Sequence, residues 1–242
     1  MTFNLQTFKT RTLTAVLFAA VMLVGLLWNF WSFLILFTVI HFGCWYEFVK
    51  LMKKIYGKKY LLYCLLGLAY ITMPVIMLVN FYLNAIYDLN HSMDCLVFPK
   101  AVYTYTSHLP VLAIKPAFII FSIWINDTMA YIVGSLIGKT PFSKISPKKT
   151  WEGTICGILI TIIIAAIVSR IITYGFNTGW ILIAAISAIF GTLGDLLESK
   201  IKRMADVKDS GTFMPGHGGF LDRFDSLLVA TPFVWLCGWL FL

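Results

Sequence analysis

Uncharged apolar runs long enough to cross a bilayer recur along this 242-residue chain, and they leave few folds open to it. A helix needs about 20 residues to span the hydrocarbon layer. Runs of that kind lie near residues 12–28, 29–49, 60–84, 112–138, 153–174, 178–199 and 225–242, which predicts an all-α polytopic membrane protein with about seven spans. The first two form one uncharged stretch, and Trp28-Asn29 is the expected turn between them, since Trp favours a headgroup interface. Lys9 and Arg11 ahead of an apolar core also fit a signal peptide, but no small-residue cleavage site follows, so the segment reads as a retained helix. With 60% hydrophobic and only 12% charged residues, the chain has more apolar surface than a soluble fold of this size can hide. The organisation expected is one integrated membrane domain. Residues 1–110 supply N-terminal helices and an outer loop near 86–110 with no assigned role, and residues 111–242 carry two polar loops.

Cations fix the expected orientation, because Lys and Arg collect in cytoplasmic loops. With the N-terminus inside, 16 of the 19 Lys and Arg face the cytoplasm, and only Lys100, Lys115 and Arg170 stay outside. The net charge of +8 is then explained by this rule and by attraction to anionic membrane lipids, above all for the Lys50 to Lys59 cluster. Nucleic-acid binding is not expected, since it needs a soluble basic face. The five cysteines show no CxxC or zinc spacing and predict no disulfide.

The densest polar stretch is residues 199–225, SKIKRMADVKDSGTFMPGHGGFLDRFD, set between two apolar segments. Asp195 and Glu198 precede it on one helix face with Ser199 and Lys202. For Glu198 an intrahelical ion pair with Lys202 is an equal reading. Asp195 lies deeper and is flanked by Gly191 and Gly194, which admit another backbone or a ligand. At the far end, Asp222 and Asp225 share the first turn of a helix expected to start near Leu221, where three opposed carboxylates suit Mg2+ and simple helix capping is the alternative. Between them the PGHGG turn can align backbone amides against an anion. His217 fits a fixed hydrogen-bond donor, with general base and metal ligand left open.

A second loop, Ser143-Lys-Ile-Ser-Pro-Lys-Lys-Thr-Trp-Glu-Gly153, sets Lys148 and Lys149 beside the hydroxyls of Ser146 and Thr150 at a helix start. It reads equally as an anion site or as a basic membrane anchor. Upstream, Gly134-Ser-Leu-Ile-Gly138-Lys139-Thr140 imitates a phosphate-binding P-loop but has three residues between its glycines and no preceding strand. Gly134 and Gly138 are instead expected to pack helices closely.

Taken together, Ser199-Lys-Ile-Lys-Arg, Lys208-Asp-Ser-Gly and Pro215-Gly-His-Gly-Gly-Phe-Leu-Asp-Arg-Phe-Asp225 resemble the signature of the CDP-diacylglycerol synthases, or phosphatidate cytidylyltransferases. Asn126-Asp127-Thr-Met-Ala-Tyr131, Ser146-Pro-Lys-Lys-Thr-Trp-Glu-Gly153 and Gly194-Asp-Leu-Leu-Glu-Ser199 are similar to the same family's other motifs, so the likeness covers residues 111–242. Met214 departs from the family's usual Leu, Ile or Phe, and the front half is shorter than in many relatives. The resemblance implies that CTP and phosphatidate give CDP-diacylglycerol and pyrophosphate with Mg2+, in a bacterial cytoplasmic membrane with the site facing the cytoplasm, and it favours a homodimer. It implies metal ligation by Asp195, Asp222 and Asp225. Lys202 and Arg203 would act in catalysis, and Ser146, Lys148, Lys149, Lys208, Asp209, Ser210, His217, Gly218, Gly219 and Arg223 would bind substrate. Asp127 is a structural or supporting candidate. A transporter for an anionic solute and another CTP-using lipid enzyme, such as a polyprenol kinase, are the alternative readings.

Overall fold

The structure, a computed structural model, describes residues 5–94, 114–173, 178–213 and 218–241. The outer loop beyond residue 94, Met214 and His217 lie outside the described residues. Helix α1 spans Leu5–Leu27, α2 Phe30–Tyr56, α3 Tyr60–Cys64 and α4 Met73–Asp94. After these come α5 Ile114–Ile137, α6 Trp151–Thr173, α7 Thr178–Met204 and α8 Leu221–Phe241. No β-strand occurs among the described residues; one antiparallel bridge joins Pro141 to Thr150. Among the described residues, five stretches are long and apolar enough to cross a membrane, and a shorter apolar helix covers Thr12–Leu27.

Each predicted span has a helical counterpart, and the departures are local. The turn at Trp28-Asn29 is made by Asn29, whose side chain accepts from Ser32 N at 2.8 Å while Ser32 Oγ accepts from Asn29 N at 3.1 Å. This reciprocal cap satisfies donors that the first turn of α2 leaves without intrahelical partners. The third span, expected as one helix over 60–84, is broken by a π-helical turn at Leu68–Thr72 just before Pro74. The widened turn accompanies the proline, which has no N–H to donate. Thr72 Oγ1 lies there 3.0 Å from both His41 Nε2 and Trp45 Nε1 of α2.

Burial divides the helices by face. Phe33, Phe37 and Phe48 of α2, Leu78 of α4, Ile119 of α5 and Leu221, Leu228 and Val234 of α8 form the core. On α6, Ile155, Leu159, Ile163, Ile167 and Ile171 recur every fourth residue and stand exposed, an outward apolar stripe that hydrocarbon covers.

Helices α5 to α8 pack as a unit, with α5 along α6 and α7 along α8, and α2 and α4 lie against α8. Glycines set the two tightest approaches. A Cβ at Gly153 would stand 2.5 Å from Ala130 O and 2.8 Å from Gly134 Cα, so α5 and α6 touch where the false P-loop lies. A Cβ at Gly194 would stand 2.6 Å from Asp225 O and 2.9 Å from Ser226 Cα, so α7 and α8 meet backbone to backbone. Gly194→Ala must separate these helices, and it is expected to cost about 1–3 kcal/mol as overpacking. A lowered melting temperature in detergent checks this against Gly238→Ala, whose Cβ would meet only Phe81 at 3.8 Å and should leave stability unchanged.

Candidate active site

The close approach at Gly194 carries Asp195 of α7 up to Asp225 of α8. Asp195, Glu198 and Asp225 each bring a carboxylate oxygen within 4.8 Å of the others. Glu198 is fully buried and Asp225 nearly so. Neither Glu198 oxygen has a hydrogen-bond partner, although Lys202 Nζ lies 2.5 Å from Oε2. Carboxylate oxygens held together in a buried site repel one another unless a cation or a proton intervenes. An all-oxygen donor set of this kind fits a hard divalent ion such as Mg2+.

The cluster borders a cavity of about 430 Å³. Asn126 and Asp127 of α5, Thr192 and Asp195 of α7, and Asp222 and Asp225 of α8 line it from one side. Ser146, Lys148 and Lys149 line it from the loop between α5 and α6. Two hydrogen bonds beside the Pro141 bridge, Phe142 N to Lys149 O at 2.7 Å and Trp151 N to Thr140 O at 3.0 Å, fold that loop back on itself. Glu152 fastens its start, accepting from Thr140 Oγ1 at 2.8 Å and from the amides of Lys139 and Thr140 at 3.2 Å. Lys149 forms an ion pair with Asp195. The five carboxylates Asp127, Asp195, Glu198, Asp222 and Asp225 face the ammonium groups of Lys148, Lys149 and Lys202, with Arg223 at the neighbouring cavity.

Asp222 stands apart from the close cluster. Its Oδ1 accepts from Lys202 Nζ at 2.6 Å, and its Oδ2 accepts from Ser210 N at 2.9 Å and Gly219 N at 2.7 Å. Lys202 therefore bridges Asp222 to Glu198. Glu198, given equal odds of a simple ion pair from the sequence, both pairs with Lys202 and joins the carboxylate group.

The glycine turn also differs from its expected use. Gly218 adopts φ +83°, in the left-handed region, and the amides that follow it point at the protein's own carboxylates. Gly219 N serves Asp222, while Phe220 N and Leu221 N donate to Glu47 of α2, each at 2.9 Å. Glu47 does not stand out in the sequence, because it lies at the end of a span beside Lys50, Lys53 and Lys54 and resembles an ordinary interfacial charge. The signal that marks it is its solitude, since it is the only acid in the first 87 residues.

The remaining expected residues fall at varied distances from the cavity. Ser210 is buried between Glu47 and Asp222. Arg223 borders a smaller neighbouring cavity of about 130 Å³ that shares Asp127, Asp222 and Asp225 with the first and is walled by Phe18, Trp124 and Phe224. Arg203, Lys208 and Asp209 are exposed and line neither cavity, and the Arg203 guanidinium reaches the Val207 carbonyl at 3.4 Å.

Residues 95–241 match the model of the cytidylyltransferase family. The chain belongs to that family. Curated relatives named phosphatidate cytidylyltransferase include one from Staphylococcus haemolyticus, 46% identical over 113 residues, which are 46% of this chain and 43% of the relative. One from Bacillus subtilis is 46% identical over 115 residues, 47% of this chain and 43% of the relative. One from Staphylococcus aureus is 44% identical over 113 residues, 46% of this chain and 43% of the relative. The chain thus matches less than half the length of these cytidylyltransferases.

The loop staple yields a prediction within the family region. Glu152→Ala removes the acceptor that the Thr140 hydroxyl and the Lys139 and Thr140 amides share. Proteolysis of the native protein between residues 139 and 149 is expected to speed up roughly ten-fold, as loss of a charged hydrogen bond implies.

Proposed function

We propose that the chain transfers the cytidylyl group of CTP to phosphatidate, giving CDP-diacylglycerol and pyrophosphate. The observation that carries the reading is the convergence of Asp195, Glu198 and Asp225 beside Lys148 and Lys149 at one cavity. A phosphate oxygen of the lipid attacks the α-phosphorus of CTP, and the bond to the bridging oxygen of the β-phosphate breaks. That oxygen leaves with its electron pair as part of pyrophosphate. A phosphate monoester loses its second proton near pH 6, so the nucleophile is already largely ionised at neutral pH. The protein's task is to bring two mutually repelling phosphates into line and offset their charge.

The residues divide this task by position. Asp195, Glu198 and Asp225 would hold Mg2+, which would offset phosphate charge when bound. Lys148 and Lys149 meet phosphate with Ser146, and phosphate arriving at Lys149 competes with Asp195 for its ammonium group. Lys202 keeps Glu198 and Asp222 in register, so Asp222 supports the metal site through Lys202 and Ser210. The aromatic walls of the smaller cavity suit the glycerol end of the lipid, with Arg223 beside its phosphate. The 16-of-19 cation bias supports a cytoplasmic-face location for these loops.

Pure protein incubated with phosphatidate, Mg2+ and CTP labelled at the α-phosphate should move label into lipid and release unlabelled pyrophosphate. Label remaining in water, or movement of an anionic solute across liposomes without CTP, would overturn the reading. Asp195→Asn and Asp225→Asn should each lower the rate by at least about 100-fold, in line with loss of a charge that acts on the transition state. A wild-type rate in either variant, measured on folded protein in detergent, removes that residue from the metal site.

A further inference from the structure

We propose that Glu47 is a positioning residue for the acidic cluster, acting from α2 through Ser210, Asp222 and Lys202. The inference rests on the transfer reaction proposed above. It adds a component from outside residues 95–241, the stretch that matches the family.

Glu47 is buried at 4% exposure, and both its oxygens are spent on accepting hydrogen bonds. Oε1 accepts from Phe220 N at 2.9 Å. Oε2 accepts from Leu221 N at 2.9 Å and from Ser210 Oγ at 2.7 Å. These bonds cross 163 to 174 sequence positions, so they are tertiary contacts rather than a local cap. Leu221 opens α8, where the unpaired amides and the positive end of the helix dipole favour an anion. The fit leaves no slack, because a Cβ on either Gly211 or Gly219 would collide with the Glu47 carboxylate.

The link to the cluster passes through Ser210. Ser210 Oγ lies 2.7 Å from Glu47 Oε2 and 2.9 Å from Asp222 Oδ2, and a hydroxyl has a single hydrogen to donate. Glu47 and Asp222 share that one hydrogen, Ser210 N separately donates to Asp222 Oδ2 at 2.9 Å, and Asp222 passes the constraint to Lys202 and on to Glu198. Take Glu47 away, and the amides of Phe220 and Leu221 lose their acceptors, the start of α8 loosens, and Asp222 and Asp225 sit on that loosened turn.

The test uses two readouts on the full chain in detergent, amide hydrogen exchange and Mn2+ affinity by electron paramagnetic resonance, neither of which needs turnover. In Glu47→Ala the amides of Ser210, Gly219, Phe220 and Leu221 should exchange at least roughly ten-fold faster, with α6 unchanged, as loss of charged hydrogen bonds implies. Mn2+ affinity should fall by roughly 10- to 100-fold, the usual effect of losing support behind metal ligands. Glu47→Gln retains one acceptor oxygen and should show smaller shifts in the same direction, and it carries the test where Glu47→Ala does not fold. Ser210→Ala should weaken Mn2+ binding on its own but add less than that to Glu47→Gln, because the two share part of one path. Unchanged exchange at those amides, unchanged Mn2+ affinity, or fully additive effects would each overturn the proposal. Failure of the reaction itself is separate, since it shows as wild-type protein that binds Mn2+ yet leaves CTP and phosphatidate unreacted.

Discussion

The contact between the backbones of α7 and α8 at Gly194 decides where the charge of this protein gathers. Ionised side chains at membrane depth cost about 2.5–3.5 kcal/mol each on insertion scales, so they are rare and paired. Here Asp195 and Glu198 descend from one helix and Asp225 from the other, and they meet only because no side chain separates Gly194 from Asp225 and Ser226. Lys149 and Lys202 enter from either side and offset part of the charge. The acids that remain crowded together need a cation or a proton between them, and the proposed divalent ion would supply the first.

The glycine turn before α8 shows how backbone donors can be used inward. In many anion sites, amides at a helix start face a ligand. In this chain the amides of Gly219, Phe220 and Leu221 face Asp222 and Glu47, so the turn is held by the protein's own carboxylates. In the proposed reaction, phosphate contact would fall to side chains, chiefly Lys148 and Lys149 on the opposite loop. That division has a physical logic, since lysine stems can follow a moving phosphate while a turn locked by hydrogen bonds keeps the acidic residues of α8 still.

Much of the architecture was legible because hydrocarbon imposes a simple rule on composition, and the seven apolar runs each returned as helix. The turn at Asn29 could be read from polarity, and the closeness of α7 to α8 from Gly191 and Gly194 flanking an acid. The break at Leu68–Thr72 was only half legible, because Pro74 signals a disturbed helix but not that the disturbance is a π turn with Thr72 against His41 and Trp45. At the site, the motif residues were found, but not which carboxylates share a corner. Asp222 and Asp225 lie three apart on one helix, yet only Asp225 faces Asp195 and Glu198, because Asp222 turns back to Ser210 and Gly219.

Glu47 marks the limit of reading a site from its motif. The family match begins at residue 95, and within it nothing says that a carboxylate must arrive from α2. A buried amide left without an acceptor costs about 1–3 kcal/mol, and at the start of α8 the amides of Phe220 and Leu221 find theirs in Glu47. The requirement for an acceptor is thus built into the motif region, while the group that meets it lies outside. The N-terminal helices are for that reason part of the site's construction, and their packing against α8 serves the geometry of Asp222 and Asp225 as much as it serves burial.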